Sequence, residues 1–284
     1  MPPDTTATHI EAHVTVTAAG QNPVELLHAA TGLPKERIKF AMTQGAVWLS
    51  HGNKGSRVRR SSRKLAENDE LHIYYDADIL AENPPDPDLI ADVDGYSVWR
   101  KPQGLRSQGS KWGDHCTVMR RAELMLEPQR PTFTVHRLDM AANGLILVAH
   151  SKKVAAALAE LFSGRKIEKR YRAIVKGDFS QHAGPVKVEE PIDDKAAVSE
   201  VSLLEVSKDK QRSLVEVNIE TGRKHQIRRH LAGLGHPIVG DRLYGSGAAD
   251  GEDLQLTAYR LAFDCPVTDA PVVYELPDKW LPAL

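Results

Sequence analysis

Three short stretches of the chain combine acidic, basic and aromatic residues with strongly apolar runs. In the first, residues 134–151 (TVHRLDMAANGLILVAHS), Asp139 comes shortly before an apolar run of strand type. The second stretch is 168–177 (EKRYRAIVKG), and the third is 220–245 (ETGRKHQIRRHLAGLGHPIVGDRLYG). Burying charged side chains beside a buried strand costs free energy unless the charges are paired or serve a function. These stretches are therefore the candidate site, with a carboxylate that can act as a nucleophile or stabilise positive charge.

Together with residues 100–105 (RKPQGL), the three stretches resemble the signature blocks of the RluA-like pseudouridine synthases, in the same order and at similar spacing. The resemblance runs from about residue 92 to about residue 270. It implies an isomerase that breaks the glycosidic bond of a uridine in RNA and rejoins carbon 5 of the base to the same sugar carbon. Because no atoms are exchanged, it implies a reaction without cofactor, nucleotide or metal.

The resemblance also implies a role for each matching residue. Asp139 of the HRLD block is the catalytic carboxylate, and Arg223 of the TGR block is the cation that favours its charged form. Tyr171 would stack on uracil and assist proton removal at carbon 5, which places it among the catalytic residues. The residues expected to bind the flipped-out nucleotide, including a basic companion and an apolar wall, are His136, Arg137, Lys169 and Ile227.

Two alternatives remain open because the chain departs from the family pattern. Ala142-Asn143-Gly144 stands where Thr-Ser-Gly is common, and Thr257 and Cys265 stand where late histidines are expected. A non-catalytic RNA-binding or ribosome-assembly factor with the same fold would fit these losses, and it predicts that Asp139 and Arg223 lie apart. A hydrolase that uses Asp139 with a histidine would instead release free uracil.

Each residue also has a purely structural interpretation. Asp139 taken alone is typical of a turn or helix cap, and Tyr171 taken alone is typical of an ordinary strand. His225, His230 and His236 lack the spacing of a zinc site and have no cysteine beside them, so we expect structural roles for them. For Asp139 and Tyr171, the four ordered blocks favour a catalytic role over a structural one.

The elements that must position this site follow from the hydrophobic patterning. Short β-rich runs beyond residue 95, separated by Gly, Pro and charged turns, predict an α+β domain built on a mixed sheet. Two helices are predicted within this domain. The first spans SKKVAAALAELFSG and ends near Gly164, and the second spans KHQIRRHLAGLG, with Ile227 on its buried face and Arg228 turned elsewhere.

A basic segment precedes this domain. Residues 35–64 hold nine Lys or Arg against one acid, whereas residues 67–100 hold ten acids against Arg100. Two short helices, a strand, an Arg-rich loop and a second strand are predicted, an order that resembles the RNA-binding module of ribosomal protein S-four. A one-signed surface of this kind suits RNA phosphates. The loop residues expected to bind RNA are Arg57, Arg59, Arg60 and Arg63.

The predicted domain organisation is an S-four-like module at 1–80, an acidic, Pro-rich linker at 81–91 and a catalytic domain at 92–284. Two distant cysteines indicate neither a disulfide framework nor a cysteine zinc site. The N-terminal residues lack the pattern of a signal peptide, and no apolar run is long enough to span a bilayer. We therefore expect a monomeric cytoplasmic enzyme whose partner is ribosomal or transfer RNA.

Overall fold

A computed structural model describes residues 8–245 and 251–284, so residues 1–7 of the predicted N-terminal module lie outside the described part. Two compact units are present. The first unit runs to Pro84 and also includes Gln108–Leu124, and the second consists of Pro85–Ser107 and Met125–Leu284. The expected linker is not a plain connector, because its last four residues, 88–91, lie in the strand Asp88–Val93. The inclusion of Gln108–Leu124 in the first unit was not expected from the sequence.

The described strands are β1 (His9–Thr15), β2 (Val47–His51), β3 (Lys54–Arg57), β4 (Glu70–Asp76), β5 (Asp88–Val93), β6 (Tyr96–Lys101), β7 (Phe133–Thr134), β8 (Asn143–Ala149), β9 (Glu168–Lys176), β10 (Val186–Val188), β11 (Ser199–Val206), β12 (Arg212–Ile219), β13 (Leu256–Asp264) and β14 (Pro271–Glu275). The described α-helices are α1 (Pro23–Thr31), α2 (Lys35–Thr43), α3 (Ala77–Ala81), α4 (Val118–Met125), α5 (Lys152–Ser163) and α6 (Gln226–Gly233).

The first unit contains a four-stranded antiparallel sheet in the order β1-β4-β2-β3. Local signals fix its first helix, because the Asn22 side chain accepts hydrogen bonds from the amides of Val24 and Glu25, and Gly32 ends the helix with φ +70°. The two predicted helices and the strands β2 and β4 are confirmed. Strands β1 and β3 were missed, since both carry mainly polar or small residues on their exposed face.

The second unit is built on a sheet of ten described strands, in the order β10-β11-β12-β9-β13-β8-β6-β5, with β14 beside β13 and β7 beside β8. Only the β8–β13 pair is parallel. The α+β prediction with a mixed, largely antiparallel sheet is therefore confirmed. Both predicted helices are present as α5 and α6, and their buried residues Leu158 and Ile227 belong to two separate apolar clusters.

Among residues 8–245 and 251–284, no helix combines the length and apolar character needed to cross a bilayer. The longest helix has 12 residues.

Candidate active site

Asp139 lies in the connection between β7 and β8, on a loop held tightly by the segment that follows β6. The hydroxyl of Ser107 donates to Leu138 O at 2.7 Å and accepts from Leu138 N at 2.9 Å. The Gly104 amide donates to Met140 O at 2.9 Å. These bonds fix the backbone on both sides of Asp139, whose side chain is 26% exposed. The RKPQGL block therefore supports the loop that carries the carboxylate.

Lys101 is a second anchor of this loop and was not predicted. Its fully buried ammonium donates to Leu105 O at 2.8 Å and Ala142 O at 2.7 Å, with Pro102 O and Met140 O also within hydrogen-bonding distance. Burial lowers the pKa of Lys101 to about 7, although the negative charge of Asp139 opposes the shift. The sequence did not single out Lys101, because its strand YSVWRK also carries Ser97 and Arg100.

A close approach of strands requires a glycine just after the Asp139 loop. Gly144 has φ +127°, and a Cβ placed on it would lie 2.3 Å from Ala258 O. Ala258 is in register with Gly144 on β8 and also with Tyr171 on β9. Strand β13 therefore lies between β8, which follows Asp139, and β9, which carries Tyr171.

The cation beside Asp139 is Arg228 and not Arg223, so the sequence-based assignment is wrong. Arg228 Nη1 lies 3.4 Å from Asp139 Oδ2, and its side chain is 5% exposed. Arg223 donates through Nε to Ala196 O at 3.0 Å. The prediction that Arg228 turns away from the buried face of the helix is also wrong, because Arg228 is buried and contacts Asp139 from the first turn of α6. The spacing of apolar residues could not reveal the contact between Arg228 and Asp139, because it predicts only which residues of the helix pack against the core.

Asp241 holds Arg228 in place through a bidentate ion pair. Arg228 Nε and Nη2 lie 2.8 and 2.7 Å from the two oxygens of Asp241, which is fully buried. Burial alone would raise the pKa of Asp241, but hydrogen bonds from Arg228 and from the amides of Leu243 and Tyr244 lower it overall. The guanidinium is thus shared between a buried carboxylate that orients it and Asp139, which is partly open to solvent.

His225 is the other group close to Asp139. It adopts φ +56° at the start of α6, with Nε2 3.7 Å from Asp139 Oδ1 and Nδ1 2.9 Å from the Tyr244 hydroxyl. Burial lowers the pKa of His225, while the charge of Asp139 acts in the opposite direction. His225 therefore lies at the candidate site. His230 and His236 instead bond to Ser199 and to backbone oxygens in the described part.

Tyr171 and Ile227, the residues predicted to form an aromatic and an apolar wall, lie at one apolar cluster of the second unit. Tyr171 is half-buried on β9 and packs against the apolar cluster that contains Ile227. Burial raises the pKa of the Tyr171 phenol, and the negative charge of Asp139 adds to the rise. The phenol is therefore protonated at neutral pH and can donate a hydrogen bond.

The other three predicted substrate-binding residues occupy different surroundings. His136 stacks on Phe162 with ring centroids 4.3 Å apart, and its Nε2 accepts from Leu147 N at 2.9 Å. Burial, reinforced by the charge of Lys169, lowers the pKa of His136 to about 3, so the ring is neutral. Lys169 is buried, with Nζ 3.5 Å from Glu220 O, whereas Arg137 is exposed beside Asp139 in the chain.

The four arginines of the N-terminal loop fall into two pairs. Arg57 and Arg59 are largely buried and both contact the Asp114 carboxylate, and Arg57 also bonds to Ser110 O. The charges of Arg57 and Arg59 are therefore paired with Asp114 inside the first unit. This differs from the expectation that both arginines bind RNA. Arg60 and Arg63 are exposed and can reach a phosphate.

Comparisons with known proteins show which family this chain resembles. A family model described as RNA pseudouridylate synthase matches residues 95–233. The chain is 30% identical to tRNA pseudouridine synthase C of Vibrio parahaemolyticus, covering 69% of this chain and 93% of that protein. It is 32% identical to the dual-specificity RNA pseudouridine synthase RluA of the same species, covering 66% and 83%. The human RNA pseudouridylate synthase domain containing 1 shares the fold, with 23% identity, a TM-score of 0.58 and coverage of 71% and 88%.

The fold and these similarities place the chain among the RNA-modifying isomerases of the RluA type. The chain belongs to the RNA pseudouridylate synthase family and is an RNA pseudouridine synthase.

Proposed function

We propose that this enzyme isomerises uridines of ribosomal or transfer RNA, with Asp139 as the catalytic carboxylate. The observation that carries the proposal is the contact of Asp139 with Arg228, which is itself oriented by the buried Asp241. A guanidinium beside a carboxylate binds it through charge-assisted hydrogen bonding and holds it in one direction. The carboxylate can therefore attack the sugar carbon or stabilise an oxocarbenium-like sugar while the glycosidic bond breaks.

The neighbouring side chains complete this proposal. The Tyr171 ring would stack on the extruded uracil, and its protonated hydroxyl would donate to a uracil oxygen. Ile227 would supply the apolar wall, and the exposed Arg137 would contact RNA around the vacated position. His136 and Lys169 would support the site without contacting the nucleotide. The ring of His136 accepts a hydrogen bond from the Leu147 amide, and the ammonium of Lys169 donates to Glu220 O.

The wider proposal concerns the RNA and the first unit. The name of the Vibrio tRNA pseudouridine synthase C supports transfer RNA as one substrate. The name of the dual-specificity relative supports a second RNA substrate, for which we propose ribosomal RNA. We propose that the first unit is an S-four-like RNA-binding module, supported by its two helices and by the exposed Arg60 and Arg63. Two free cysteines, both buried, fit a monomer working in the reducing cytoplasm.

The test is tritium release from RNA that carries tritium at carbon 5 of uridine. The purified enzyme should release tritium from transcripts of transfer or ribosomal RNA, and Asp139→Asn should not, while it keeps its fold and RNA affinity. Undiminished release by Asp139→Asn would remove Asp139 from the reaction. Free uracil among the products would favour the hydrolase alternative. The non-catalytic alternative predicts that Asp139 and Arg223 lie apart, and Arg223 does bond to Ala196 O instead. The contact of Arg228 with Asp139 supports the catalytic proposal, because a different arginine takes the expected place.

A further inference from the structure

A connected group of aromatic rings covers the open face of the sheet in the first unit. It consists of His9 and His13 on β1, His72 and Tyr74 on β4, and Trp112 from the segment after Ser107, and we call it the ring surface. The centroid distances that link neighbouring rings are 4.3 Å (His9–Trp112), 5.7 Å (Tyr74–Trp112), 5.9 Å (His13–Tyr74), 4.9 Å (His13–His72) and 6.4 Å (His72–Tyr74).

The ring surface is not needed to build the core of this unit. Alternation along the strands sends Leu71 and Ile73 of β4 to the other face, where they join the apolar cluster with α1 and α2. The side chains of His9 and His13 are 58% and 53% exposed. On a solvent-facing sheet surface polar residues are usual, so a contiguous set of rings there indicates a binding surface.

The segment that carries Trp112 is fastened to the sheet, so the rings are held in position before any ligand arrives. Trp48 Nε1 donates to Lys111 O at 3.1 Å, and Arg57 Nη2 donates to Ser110 O at 2.8 Å. The Asp114 amide also donates to Gln44 O at 3.1 Å. A fixed set of aromatic faces loses little conformational entropy on binding a flat ligand.

A basic segment borders the ring surface. Lys111 Nζ lies 4.5 Å from the centre of the Tyr74 ring and 5.1 Å from that of Trp112, but it pairs with Glu11 of β1 at 2.8 Å, so the net positive charge comes from the neighbouring edge segment. Residues 54–64, which begin with the edge strand β3 of the same sheet, contain six Lys or Arg and no acid. The exposed members of this segment are Lys54, Arg60, Arg63 and Lys64. Aromatic faces next to such a basic edge match nucleic acid with unstacked bases.

We propose that the ring surface stacks unpaired nucleobases of the RNA on which the enzyme acts. Single-stranded RNA is the ligand, because bases in an A-form duplex are stacked on each other and cannot lie on protein rings. Phosphates of the same strand would run towards the cations of residues 54–64. This inference rests on the proposed function in one respect, because that function identifies the ligand as RNA.

Ring-to-aliphatic variants test this proposal in the full-length enzyme. Tyr74→Leu and Trp112→Leu should each weaken binding of a short, unstructured oligouridylate about tenfold, because a stacked base contributes about that factor. Phe40→Leu is the matched control, since Phe40 is an exposed ring of the same unit on α2. It should leave the affinity unchanged, and duplex RNA should bind all variants equally.

Cross-strand ring pairs also stabilise sheets, so each variant is checked by urea unfolding. If a leucine variant fails to fold, Tyr74→Phe and Trp112→Phe replace it. These variants keep a ring and should bind oligouridylate within about twofold of the wild type, with Trp112→Phe losing part of the tryptophan quenching on titration. Affinity unchanged in folded leucine variants, or equal losses for single-stranded and duplex RNA, would overturn the proposal.

Failure of this inference can be told apart from failure of the proposed function. Tritium release by the wild-type enzyme is measured on the same preparation. An active enzyme whose ring variants bind oligouridylate normally contradicts the stacking surface alone. An inactive wild-type enzyme that binds oligouridylate through the rings contradicts the proposed reaction alone.

Discussion

Removing the charge of Arg228 should damage the reaction far more than removing that of Arg223. With 3.4 Å between Arg228 Nη1 and Asp139 Oδ2, the attraction of two unit charges is about 5 kcal/mol at an effective dielectric constant of about 20. Asp139 is 26% exposed, so water screens part of this attraction and about 2–3 kcal/mol should remain. That corresponds to a fall in kcat/KM of about 30- to 150-fold.

The variant must not leave a second charge unpaired. Arg228→Met alone would strand the fully buried Asp241, a change that typically costs about 3–5 kcal/mol of stability. The double variant Arg228→Met with Asp241→Leu replaces the buried ion pair by apolar side chains, which proteins often tolerate. Arg223→Met is the matched control, because Arg223 bonds to a backbone oxygen instead of Asp139.

The assay is kcat/KM for tritium release, with the folded fraction checked by circular dichroism. We expect the double variant to lose about 30- to 150-fold and Arg223→Met to lose less than about threefold. A folded double variant that keeps wild-type kcat/KM, or a larger loss for Arg223→Met, would refute this account of the ion pair.

Three further predictions follow from the described contacts. Arg60→Ala with Arg63→Ala should weaken RNA binding and reduce the slope of log affinity against log salt by about one to two; an unchanged slope would remove both residues from phosphate contact. Gly144→Ala should destabilise the fold by roughly 3 kcal/mol in urea unfolding, because its Cβ would meet Ala258 O at 2.3 Å; a loss below about 1 kcal/mol would mean that the strands can separate easily. The pKa of His136, about 3 when folded, lies below its ordinary value of 6.5, so the unfolded chain takes up the proton first and stability falls as pH drops through this window, by up to about 1.4 kcal/mol per pH unit; His136→Gln should show a shallower fall, and an equal slope would contradict the buried neutral ring.

Much of the architecture could be predicted because helix caps and the spacing of apolar residues are features of short sequence segments. Helix α1 follows from the Asn22 cap and the terminal Gly32, and the mixed sheet of the second unit follows from its short β-rich runs. The order of the blocks pointed to Asp139 and Tyr171, and these two assignments remain predictions. Gly144, on the strand after Asp139, and Tyr171 are both in register with Ala258.

The features that were missed depend on contacts between distant residues. Periodicity in α6 identifies its buried face, but only the position of Asp241 shows that Arg228 is drawn to the site. Lys101 is recognised as an anchor only when the carbonyls of the Asp139 loop are in place. Residues 108–124 lie within the catalytic stretch of the sequence, and no composition signal assigns them to the first unit.

The most direct measurement is a single-turnover reaction of Asp139→Asn with an RNA that the wild-type enzyme modifies, scoring pseudouridine in the product and RNA affinity in parallel. The amide keeps the shape of Asp139 but lacks the charge that faces Arg228. We predict no detectable pseudouridine at an affinity close to that of the wild type. Pseudouridine formed at the wild-type rate would contradict the assignment of the reaction to this carboxylate.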